Sequence, residues 1–134
     1  MRKFLAAACL LLAAQFAAAD DLPVIAGLKA FRAPMERIVA EGAKGRDADL
    51  AAISAAYADA DKAWKLATGE PMDMEAYGIP AERQEEAWRE VRMMGMLVGY
   101  LDEAVKRGDR TLMLRAAGLL QPAYDKLAAR LGIR

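Results

Sequence analysis

Apolar residues recur along this chain at alternating steps of three and four, the spacing that keeps side chains on one face of a helix. Four stretches show it. In the first, from about Leu22 to Glu41, the stripe is Val24, Leu28, Phe31, Met35 and Ile38. In the second it is Leu50, Ile53, Tyr57, Ala60, Trp64 and Ala67, and in the third Ala87, Val91, Met94, Val98, Leu101 and Val105. The fourth lines up Met113, Ala117, Leu120, Tyr124, Leu127 and Leu131. No stretch alternates with period two, so no sheet is expected.

Start and stop signals bound each stripe. Asp20 and Asp21 precede the first helix, where acidic residues favour a start, and Gly42 to Gly45 end it. Asp47 is the expected N-cap of the second helix, Gly69 its end, and Pro80 the first-turn residue of the third. Gly108-Asp109 stops one helix and caps the next in a single turn. Pro34 falls inside the first stretch and predicts a kink near Ala30–Phe31 or a division into two shorter helices. Pro122 predicts a bend in the fourth. Short connections make neighbouring helices antiparallel, and the link Glu70 to Pro80, with two prolines and Gly78, is long enough to cross between two hairpins. The expected fold is all-α, an antiparallel four-helix bundle over residues 20–134.

The first nineteen residues have a different character. Met1-Arg2-Lys3 is a cationic start, Phe4 to Phe16 an apolar run, and Ala17-Ala18-Ala19 a small-residue site, the layout of a secretory signal peptide over residues 1–19 cleaved near Ala19. The run is too short for a permanent bilayer span. A lipid-modified Cys9 is the rival reading, but only five residues separate it from Lys3. The expected location is the periplasm.

Cleavage changes the chemistry available. The chain has no histidine and one cysteine, Cys9, which leaves with the signal. Gone with them are the side chains most used for nucleophilic catalysis, base catalysis at neutral pH, and zinc or iron ligation. The 19 basic and 19 acidic residues of the whole chain cancel, and the basic ones are scattered. No grip on nucleic acid or on an anionic membrane is expected, since both need a concentrated basic surface.

The last third of the chain resembles the periplasmic cytochrome c′ family of four-helix bundles. The likeness lies in Leu101-Asp-Glu-Ala-Val-Lys-Arg-Gly108-Asp109, then Leu114-Arg115-Ala116-Ala117, and an alanine- and lysine-rich end closing on Arg134. What the resemblance implies is a secreted four-helix bundle with a long link between its second and third helices. Where that family carries Cys-x-x-Cys-His, this chain reads Tyr124-Asp-Lys-Leu-Ala-Ala-Arg130, with no thiol for the haem vinyl groups and no imidazole for iron. The resemblance therefore points to a haem-less relative, and no cofactor is expected.

Three residue groups remain as candidate chemistry. Met72 and Met74 in the link, with Met93 and Met96 on the third helix, are soft thioethers suited to Cu(I). Methionine also fills irregular gaps between helices, the plainer account of the same residues. Asp47-Ala-Asp49 and Asp59-Ala-Asp61 lack the glycine and further ligands of a calcium loop, so Asp47 reads as a cap and the others as solvated surface. Glu82, Glu85, Glu86 and Glu90 suit the start of a helix, and without a Glu-x-x-His pair they make no di-iron site. Tyr77 and Trp88 are placed to border a pocket at the bundle end beneath the link.

A carboxylate, lysine or tyrosine enzyme needs a fixed cleft that a bundle of this size scarcely provides, so no enzyme is expected. The sequence supports a noncatalytic binding bundle whose partner is a periplasmic protein or a small ligand, with a homodimer among the expected forms. Methionine-based Cu(I) binding is the alternative.

Overall fold

The computed structural model describes residues 22–133. The signal expectation for residues 1–19 lies outside them. The described residues form four helices, α1 (Pro23–Gly42), α2 (Leu50–Thr68), α3 (Ala81–Arg107) and α4 (Arg110–Arg130), with single 3-10 turns at Gly45–Asp47 and Met74–Tyr77. No strand occurs among the described residues. The all-α four-helix arrangement is the one the stripes predict.

Each stripe is the buried face of its helix. Every residue of the first and fourth stripes is buried, and in α2 and α3 only Leu50, Trp64, Val91 and Val105 are partly open. Hydrophobic burial drives this arrangement, each buried Leu, Ile or Phe contributing about 1.5–3 kcal/mol against chain entropy. α1 packs most extensively on α2 and α3 on α4; α1 against α4 joins the two hairpins, and α2 barely meets α3. Alanine and glycine set the closest approach. A Cβ added to Gly27 would lie 2.5 Å from the backbone nitrogen of Ala67, so α1 and α2 touch backbone to backbone there.

The start of α1 falls where the stripe predicts, and two other features depart from expectation. α1 starts at Pro23, with extended Leu22 before it and no acid in its first turn. Proline at the first position lacks only an N–H that would be unsatisfied anyway; Asp20 and Asp21, expected to favour this start, lie outside the described residues. Asp49, not Asp47, caps α2, its carboxylate accepting from the backbone N–H groups of Ala51 and Ala52 at 2.9 and 3.3 Å. Asp47 instead closes the 3-10 turn, and Glu41 reaches over to accept from the Asp49 N–H at 2.7 Å, fixing the cap. Finally, α1 does not divide at Pro34 but runs through it as one helix, and α4 likewise continues through Pro122. A proline within a helix costs about 3 kcal/mol, and a fully buried stripe on each side of it offsets that loss.

The Gly108-Asp109 turn forms as the sequence predicts. Gly108 takes φ 64°, its N–H bonds the Val105 carbonyl, and the Asp109 N–H bonds that of Ala104. The Asp109 carboxylate then caps α4 through the Leu112 N–H. Gly132 repeats the device at the end of α4, where the Ile133 N–H reaches the Ala128 carbonyl at 2.8 Å and tucks Ile133 into the core.

Candidate functional site

The link between α2 and α3 builds a concave end of the bundle. Asp73 caps the turn Met74–Tyr77, Gly78 reverses the chain at φ 74°, and Met74 and Ile79 plug the core beneath. Gln84 of α3 donates to the Ile79 carbonyl at 3.2 Å and ties the link to the next helix. Tyr77 stands half-buried between the two. Burial raises its pKa, while the Val24 backbone N–H at the open start of α1 acts on its oxygen and pulls the other way.

Between Tyr77, the start of α3 and the end of α4 lies a cavity of about 270 Å³. Small residues, Ala87, Ala129 and Gly132, leave the space, and Arg83 and Arg130 are among the residues that line it. Arg130 is bridged to Glu86 at 3.0 Å. Arg83, Tyr77 and the carboxylate-paired Arg130 thus border the space, residue types suited to a small anion with a flat or apolar body.

The sequence placed Tyr77 and Trp88 together at this end. Tyr77 lines the cavity, whereas Trp88 packs half-buried against the core and is not part of the wall. The methionines separate too. Met74 is buried and Met72 half-buried beneath the link, while Met93 and Met96 are 45% and 50% exposed on α3. Met93 lines a groove of about 310 Å³ between α3 and α4 with Leu97, Leu119 and Pro122, and neither link methionine contributes to it. It lies about 18 Å along the helix from the start of α3. No group of three or more acidic or cysteine side chains fit to hold a metal occurs among the described residues.

Two polar assemblies went unseen in the sequence. Tyr57 of α2 donates to Asp102 of α3 at 2.7 Å and lies 3.4 Å from Asp61, while Lys65 and Lys106 pair with the two carboxylates at 2.8 and 2.7 Å. Burial, then the Asp102 bond and the charge of Asp61, push the Tyr57 hydroxyl far above the phenol range. Bonds from Lys106 and then Tyr57 hold Asp102 below the usual carboxylate range. Asp61, read as solvated surface, is part of this clasp where α2 and α3 otherwise barely touch; Asp59 is solvated and meets Arg37. At the opposite end, Arg110 donates to the carbonyls of Gly45, Arg46 and Ala48, closing the α1–α2 loop onto α4.

The interior offers chemistry of a packing kind. Tyr124 donates to the Leu28 carbonyl at 2.7 Å, stacks on Phe31 at 6.0 Å, and carries Arg32 over its ring. Trp64 meets Phe31 edge-on at 6.1 Å. No buried side-chain polar atom among the described residues lacks a partner. Nor is any described helix long and apolar enough to cross a membrane.

No family model matches the chain, and neither the curated proteins nor the solved structures searched contain a match.

Proposed function

We propose that this chain is a noncatalytic periplasmic binding bundle, a haem-less relative of cytochrome c′-like proteins, that takes a small anionic ligand at its link-covered end. The lining of the cavity carries the reading: Arg83, Arg130 and Tyr77 around space left by alanine and glycine. Arginine presents a planar fork of donors that matches a carboxylate or phosphate, and Tyr77 supplies a flat apolar surface beside it. Benzoate and inorganic phosphate are suitable probes, observed by backbone amide NMR. Shifts confined to residues 77–83 and 129–132, lost in Arg83→Ala, are expected. An unchanged spectrum at millimolar probe would remove the reading.

A second reading, Cu(I) binding, is favoured by the exposure of Met93 and Met96 three residues apart on one helix. Titration of Cu(I) against a competing chelator under reducing conditions tests it. Affinity no tighter than micromolar, or unchanged in Met93→Leu/Met96→Leu, would exclude it.

A further inference from the structure

We propose that the outer face of α3 is a homodimer interface, on which a second copy of this chain lays its own α3 antiparallel across a two-fold axis at Met96. This goes beyond the ligand site and does not rest on it. Steps of seven and eleven residues return to within about 20° of the same side of a helix. Seven residues before Met96 stands Arg89 and seven after it Glu103; eleven before stands Glu85 and eleven after it Arg107. All four are exposed, and Met96 between them is half exposed.

Read backwards from Met96, these four charges are therefore the same row with every sign exchanged. That is the property an antiparallel pairing with an identical helix requires. A two-fold through Met96 sets each residue before it against the partner's residue equally far after it. Arg89 then meets Glu103 of the partner subunit, Glu85 meets Arg107 of the partner subunit, and each pair forms twice. A parallel pairing would set each charge beside its like. Centring the axis on Met93 or Tyr100 loses both pairings. An unrelated partner places no such demand on the sequence, whereas a second copy does.

The centre of the face suits the same arrangement. Met93, Met96 and Tyr100 are three of the five large apolar residues left exposed among the described residues. Leu119 of α4 is a fourth, and it lines one groove with Met93. Arg92, four before Met96, comes opposite the ring of Tyr100, four after, a cation over an aromatic face. An added Cβ at Gly99 would meet nothing within 4 Å, so the backbone is open to close approach. In the single chain Glu85 pairs with Arg92 at 2.9 Å and Glu103 with Arg107 at 3.0 Å. Exposed pairs of this kind contribute little, so exchanging them for partners across the axis costs little.

The contact spans about 33 Å of helix and about one helix diameter in width, under half of a standard interface. A weak dimer follows, with dissociation in roughly the micromolar range. Sedimentation velocity of the mature chain from low to high micromolar concentration at low salt tests it. Wild type should pass from monomer to dimer. Arg89→Glu alone and Glu103→Arg alone should each weaken dimerisation at least tenfold, and the double exchange should restore it, with circular dichroism unchanged throughout. A wild-type chain monomeric across the range, single reversals that dimerise like wild type, or a double exchange that fails to recover would each overturn the proposal.

Discussion

The two hairpins bury their stripes in the same way and finish their outer surfaces differently. Between α1 and α2 the contact is made by the smallest residues, Gly27 on the backbone of Ala67, and the outward positions of α2 are largely alanine and charge. On α3 and α4 the outward positions include Met93, Met96, Tyr100 and Leu119, against Leu66 alone on the first hairpin. Leu66 apart, the first hairpin has its large apolar side chains wholly or partly inside; the second leaves several in water beside charged residues. Core packing explains the first fully. It leaves the outer row of the second without a partner, and that row is where association with another surface is physically sensible.

The largest expected effect lies where the hairpins do not differ, in the core. Leu120 is fully buried in the middle of the fourth stripe, and Leu120→Ala leaves a cavity that packed neighbours cannot close. A loss of about 2–5 kcal/mol in urea unfolding is expected. A loss under about 1 kcal/mol would mean that the bundle core is loose, and the contrast between inside and outside would fail with it.

The contact peculiar to the first hairpin comes next. Gly27→Ala inserts a methyl 2.5 Å from the Ala67 backbone, which cannot rotate aside as a side chain can. Forcing the helices apart costs about 1–3 kcal/mol or more, against a gain of up to about 1 kcal/mol in helix propensity. Net destabilisation, read as a lower denaturation midpoint, is expected. A raised midpoint would show that α1 and α2 stand further apart than described.

How much of this was legible follows from range. The stripes and the Gly108-Asp109 turn are consequences of local spacing, and they could be read. The choice of Asp49 over Asp47 could not, because both lie before an apolar periodic run; Glu41, eight residues earlier, decides it by holding the Asp49 N–H. Tyr57 and Asp102 are 45 residues apart and Arg110 lies 62 or more from the carbonyls it clamps, so neither contact leaves a mark on sequence periodicity. Trp88 sits beside its stripe rather than on it, and spacing alone does not say to which side of the helix it turns.

The seam between the hairpins gives a smaller and pH-dependent effect. Tyr57→Phe removes the bond to Asp102 and should cost about 1 kcal/mol at neutral pH. The folded chain holds the Tyr57 proton far more tightly than the unfolded chain, which releases it near pH 10. This contribution is therefore fully present below about pH 10 and lost as pH rises above it. Asp102 behaves oppositely: its folded value is lowered, so its share is present above about pH 4 and lost as pH falls further. Stability profiles should show Tyr57→Phe losing less than wild type above pH 10. Some alkaline loss should remain, since Tyr77 and Tyr124 are also raised. Identical alkaline slopes would exclude the clasp.

The smallest effect sharpens the comparison most, because it concerns the neighbour of the residue with the largest. Leu119 and Leu120 are the same amino acid one step apart on α4, about 100° around the helix, yet Leu119 is half exposed beside Met93 and Leu120 is sealed. Leu119→Ser removes apolar surface that stays largely in water, so little burial is lost. Serine is a slightly poorer helix former, which sets the cost at about 0.5 kcal/mol. Measured beside Leu120→Ala in the same unfolding series, and at a concentration low enough to keep the chain monomeric, it should be nearly silent. A cost above about 1.5 kcal/mol would place Leu119 within the core of the single chain, and the outer face of the second hairpin would no longer be surface left for a partner.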